Sequence, residues 1–147
     1  MRIKKVSFEE ACPTIQYSFQ LETSDPNQFR HILIANFSGK YRYGSKGNPD
    51  AALMWGVLKT ACELWYPRAV IIDLRDFEYN WGDKIEMVFD APGDATLAIV
   101  VGEKCRDALS TLEYGLDTDK DITESKYFFD SLEEALNCIQ QFNSEVW

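Results

Sequence analysis

The sequence predicts a single α/β domain with a mixed central sheet and helices packed on it. Two stretches, Ala69–Leu74 (AVIIDL) and Thr96–Val101 (TLAIVV), are short and nearly unbroken runs of aliphatic residues, the pattern of parallel strands covered on both faces. Segments of helical spacing stand before, between and after them, and strands alternating with helices indicate an α/β sheet. A pair of N-terminal strand-like runs adds an antiparallel hairpin, which makes the sheet mixed.

In chain order, Ile15–Leu21 places Ile15, Tyr17, Phe19 and Leu21 on one side and Gln16, Ser18 and Gln20 on the other, the period of a half-buried strand. Ser24-Asp25-Pro26-Asn27 supplies turn chemistry. His31–Phe37 (HILIANF) is then a second, mostly covered strand. Ser38–Asn48 carries three glycines and reads as a loop. Asn48-Pro49-Asp50 gives a cap, a proline at the first helical position and an acid in the first turn. Met54, Leu58, Ala61, Cys62 and Trp65 form one apolar helical face, which Pro67 ends.

After the Ala69–Leu74 strand, Asp83–Asp90 reads as a short helix stopped before Pro92-Gly93. Beyond Thr96–Val101, the spacing of Cys105, Ala108, Leu109 and Leu112 predicts another helix, and Asp117–Glu124 is acidic and irregular. Lys126–Phe129 reads as a last short strand. Ser131-Leu-Glu-Glu134 is a capping box opening a helix with the apolar face Leu132, Ala135, Leu136, Ile139 and Phe142. The order is ββαβαβαβα, without internal repeats, in one domain spanning 1–147.

A chain of 147 residues can bury roughly 68–70% of its extended surface in one core. Its 46% hydrophobic and 14% aromatic content exceeds what a disordered chain carries. The 24 acidic residues against 15 basic ones give a formal charge of −9, which repels phosphate backbones and anionic lipid and argues against nucleic-acid or membrane partners. Cys12, Cys62, Cys105 and Cys138 contain no C-x-x-C pair, and His31, the only histidine, is far from all of them in sequence, so neither metal nor cofactor is expected. With no signal peptide and no apolar run near 18 residues in length, the chain is expected to be cytoplasmic.

The element order and three local stretches resemble the STAS domain, the module of bacterial anti-sigma factor antagonists, stressosome proteins and sulfate-transporter tails. HILIANFSGK is similar to the strand that ends in a glycine turn, AVIIDLRDFEY to the strand-Asp-Leu segment before the family's regulatory loop, and YFFDSLEEAL to its closing strand and helix. The resemblance runs from about His31 to Gln140. It implies a binding module, not an enzyme. Kinase-regulated members carry Asp-Ser-Ser-Gly at the start of the helix after the central strand. Here that place reads Asn80-Trp81-Gly82-Asp83, with no hydroxyl, so a serine-phosphorylation switch at this position is not expected.

Gly39–Lys46 lies between a strand and a helix, as a P-loop does. Its order is Ser45-Lys46, however, where phosphate and Mg²⁺ binding need lysine before the hydroxyl. Asp73, Asp76, Glu78 and Asp83 have no partner pattern for acid–base work, so no catalytic residue is assigned. Tyr79 and Trp81, large aromatics in a polar turn, either fold back on the core or face a partner. The four tryptophans, Trp55, Trp65, Trp81 and Trp147, lack cofactor-box spacing and read mainly as packing residues.

The expected function is therefore protein interaction. Its contact surface is expected at Asp76, Glu78, Tyr79, Trp81 and Asp83, with Tyr41, Arg42 and Tyr43 from the preceding glycine-rich loop. Aromatic anchors in an acidic rim would meet a basic or amphipathic partner. A small acidic immunity protein that neutralises a basic nuclease is the alternative, and a nucleotide-binding or enzymatic domain the third reading.

Overall fold

The computed structural model describes residues 1–27 and 29–141 in full and the backbone of 142–146. Among them five strands, β1 (Ile15–Glu22), β2 (Ile32–Lys40), β3 (Ala69–Glu78), β4 (Thr96–Val101) and β5 (Phe128–Phe129), form one sheet in chain order. β1 and β2 pair antiparallel, as the hairpin expected from their spacing, and every later pair is parallel. β3 and β4 lie side by side, and over Ala69–Leu74 and Ala98–Val101 they are buried on both faces, while Thr96 and Leu97 are half-buried.

A parallel sheet built in one direction by right-handed crossovers must send all its crossover helices to the same face. So it does here: α2 (Asn48–Trp65), α3 (Glu86–Asp90) and α4 (Arg106–Tyr114) pack Met54, Leu58, Val88 and Leu109 against Leu33, Phe37, Ile72, Leu74 and Ile99. Only α5 (Leu132–Val146) covers the other face. It lays Ala135, Leu136 and Ile139 on Ile32, Ile34, Ile71, Ala98 and Val100. Phe142, expected on the same helical face, and Trp147 lie outside the residues whose side chains are described.

This one-way order has a functional consequence. Doubly wound sheets bind ligands in the crevice where strand order reverses; an order that never reverses has no such crevice. Any site at the carboxyl ends of these strands must be built by the connecting turns.

Two strands run further than the sequence pattern indicates. β2 continues from Phe37 to Lys40, and β3 from Leu74 to Glu78. The polar run Asp73–Asp76 hides the strand because it contains a bulge: Asn36 pairs with Asp73 but Ser38 with Asp76, so β3 holds one extra residue. Asp73 stabilises it by accepting the Arg75 backbone N–H at 3.1 Å and the guanidinium at 2.7–3.2 Å. Beyond the bulge Phe77 and Tyr79 turn into the helix-covered core.

The remaining differences are local. A short helix, α1 (Phe8–Ala11), is capped by Ser7, whose Oγ accepts the Glu10 N–H at 3.1 Å. Asn48 begins α2 without a side-chain cap, Gly47 taking the cap position. The acidic segment before β5 is not loose: Asp121 accepts the Arg106 Nε–H at 2.7 Å, and Ser110 Oγ accepts the Ile122 N–H at 2.8 Å. Among the described residues no helix is long and apolar enough to cross a membrane. All four cysteines are free, with Cys12 and Cys105 buried, and burial pushes the Cys105 thiol up to about 11.

Candidate functional site

The turns that follow β2 and β3 are clasped to each other. The Tyr41 N–H donates to Glu78 O at 2.8 Å and the Gly44 N–H to Trp81 O at 3.2 Å, while Tyr79 donates its N–H to Lys104 O at 3.0 Å and its hydroxyl to Gly82 O at 2.8 Å. Between the turns the rings of Tyr41 and Tyr79 meet edge to face at 5.4 Å, with Phe77 6.3 Å from Tyr41. Such perpendicular aromatic pairs add to simple burial.

Two glycines make the close approach possible. Gly44 has φ +55°, and a β-carbon there would lie 2.3 Å from the Trp81 ring. Gly82, at φ +137°, turns the chain back so that a β-carbon would stand 3.0 Å from the Tyr41 ring. Only glycine occupies both conformations without strain.

The clasp is tied to the helical layer by Asp50. This fully buried carboxylate, in the first turn of α2, accepts the Arg42 backbone N–H at 2.9 Å and the guanidinium at 2.7–3.2 Å. The same guanidinium donates to Ala11 O of α1 at 2.7 Å. An acid thus occupies the first turn of α2. The 3-10 turn at Gly44–Gly47 stands between β2 and α2, so Gly39–Lys46 does not lead directly into the helix N-terminus as a P-loop does.

On this mount stand two exposed rings, Trp81 at 62% and Tyr43 at 47% exposure. Lys40 Nζ lies 4.5 Å from the Tyr43 ring centroid and 3.5 Å from Glu78. A shallow concavity of about 550 Å³ opens between Thr14, Lys40, Arg42, Tyr43, Ser45, Lys46 and Trp81.

Of the residues expected at a contact surface, Arg42, Tyr43 and Trp81 line this concavity, Glu78 lies at its margin through Lys40, and Asp83 begins the 3-10 turn after the clasp. Two expectations are corrected. Tyr41 and Tyr79 are buried and offer no surface, because the bulge and the clasp turn them into the core. Asp76 belongs elsewhere: it lines a polar hollow of about 360 Å³ with Gln16, Ser18, Asn36, Ser38 and Asp73, on the part of the sheet that α5 leaves open. The concavity itself is lined by three cations, Lys40, Arg42 and Lys46, with Glu78 at its margin. Thr14, Lys40, Ser45 and Lys46 line it without having been expected there; the β1–β2 pairing seats Thr14 against Lys40, and the 3-10 turn at Gly44–Gly47 brings in Ser45 and Lys46.

Burial raises both buried phenols above their ordinary pKa, Tyr41 to about 12 with help from Asp50 and Asp83, and Tyr79 likewise upward. A group whose folded pKa is raised stabilises the fold fully below its unfolded value, about 10 for tyrosine. That contribution is lost as pH climbs toward 12. We expect ultraviolet titration to show a late phenolate step, from the buried pair, that coincides with loss of the far-ultraviolet circular dichroism signal. A single step with the fold intact would contradict the burial of this pair.

No protein-family model matches the chain, and no curated protein matches it.

Proposed function

We propose that this chain is a non-enzymatic, STAS-like protein-interaction module that meets its partner through the paired turns after β2 and β3. The observation that carries this reading is Trp81, a large ring held out to solvent on a backbone that the Gly44 contact and the buried tyrosine pair make rigid. Rigid exposed aromatics lose little entropy on binding and act as anchors at interface centres. Tyr43 and the cations Lys40 and Lys46 flank it.

That arrangement favours an amphipathic partner, which places apolar side chains against Trp81 and Tyr43 and carboxylates against the lysines. The immunity reading draws on the net charge of −9, and that charge is not gathered at this surface. With no hydroxyl in Asn80–Asp83, binding would not be switched by phosphate there.

The test is affinity capture from the native host followed by calorimetry on the recovered partner. Trp81→Ala and Tyr43→Ala should each weaken binding by about 2 kcal/mol or more, the scale of an interface hot spot, with melting temperatures close to the parent. A partner bound equally well by both variants would place the interface on another face.

A further inference from the structure

β4 has an open half-edge. β5 pairs with Ile99 and Val100, whereas β4 starts at Thr96. In a parallel ladder alternate residues send both backbone groups to opposite neighbours. The Thr96 N–H donates to Arg68 O, toward β3, and the Ile99 N–H to Tyr127 O, toward β5. Leu97 therefore aims its N–H and C=O at the side where β5 is missing.

Along this edge runs a cleft of about 700 Å³, walled by Phe89 and Leu112 on the α3–α4 side and Ile139 on the α5 side. Its mouth carries Glu86, Asp90 and Glu113 against one cation, Lys126. The cleft lies at the opposite edge and end of the sheet from Trp81.

We propose that this cleft receives a single extended segment of a protein partner, apolar in its centre and flanked by lysine or arginine, which adds a strand beside Leu97. The backbone groups decide against a small apolar ligand, which would fill the walls but leave the Leu97 N–H and C=O unpaired; an added strand satisfies them. The recess decides against a second copy, because two β4 edges sunk between helical layers cannot meet. The excess of carboxylates at the mouth selects a basic flank over an acidic one.

The experiment selects short random peptides, displayed on phage, on the intact protein. Enriched sequences should alternate apolar positions and carry basic ends. The best of them, as a synthetic peptide, should protect Cys138, the exposed one of the four cysteines and a lining residue of the cleft, from alkylation. Methylating the peptide nitrogen that faces Leu97 should weaken binding about tenfold, a readout that leaves the protein itself unchanged. Leu97→Pro, tolerated at strand edges because it removes an edge N–H, should do the same. The proposal falls if no peptide is enriched, if enriched peptides are acidic or leave Cys138 reactive, or if N-methylation has no effect. Protection of Cys138 by decanoate alone would reassign the cleft to small apolar ligands, and protection that rises with protein concentration would reassign it to a second copy. Because the cleft is remote from Trp81, Trp81→Ala should leave peptide binding unchanged, so failure here and failure of the aromatic surface are separable.

Discussion

Tyr79→Ala is expected to cost about 3–5 kcal/mol of folding stability, the range for truncating a buried aromatic. Tyr41→Ala should fall in the same range, since both rings are enclosed and each supports the other edge to face. For a domain whose total stability is about 5–15 kcal/mol, either change removes a large fraction. Tyr79→Phe separates packing from hydrogen bonding: it keeps the ring and loses only the hydroxyl bond to Gly82 O, so a loss of about 1 kcal/mol is expected. Chemical denaturation followed by circular dichroism measures all three. A Tyr79→Ala midpoint equal to that of the parent would return this ring to the surface and undo the clasp as described.

The second large effect is expected at Asp50. Its carboxylate is fully buried and receives the Arg42 backbone N–H and guanidinium together. Removing one partner of a buried pair leaves the other uncompensated, at about 3–5 kcal/mol. Asp50→Ala should sit at the low end, about 3 kcal/mol, because the Arg42 side chain is 31% exposed and can turn to water. Asp50→Asn should cost less, since the amide oxygen still accepts the Arg42 N–H. The same denaturation measurements decide, and Asp50→Ala should also loosen Trp81, seen as a shift of tryptophan emission. A loss below about 0.5 kcal/mol, the scale of a surface substitution, would mean that the pair does not anchor the turn.

Reading a fold from its sequence succeeds where burial is uniform. Ala69–Leu74 and Thr96–Val101 are apolar at every position except Asp73 and Thr96, and Ile15–Leu21 alternates cleanly, so period and composition identify the strands. Strand ends are harder to see. Asp73–Glu78 alternates poorly because the bulge inserts a residue and shifts the face of everything after it, and a one-residue shift reverses which side chains are buried. That shift is why Tyr79, a plausible contact residue by sequence, lies in the core.

Charge shows a similar limit. The excess of acids is a property of the whole chain, while the surface beside Trp81 is lined by Lys40, Arg42 and Lys46. Composition cannot say where charges gather. Arg42 illustrates this further, since its partner Asp50 is eight residues away and the pairing depends on the chain turning through Gly44–Gly47.

By itself, then, the amino-acid order determined the α/β class, the hairpin followed by parallel strands, and the helices that cover them, because these follow from local periodicity and from burying apolar stripes. Only the tertiary structure decided which aromatics face solvent, that Asp76 parts from Trp81, and that β4 keeps an open edge. Those outcomes depend on strand register, on the lengths of β3 and β5, and on turns meeting across the sheet. All of these are contacts between residues distant in sequence, whose energies no local pattern records.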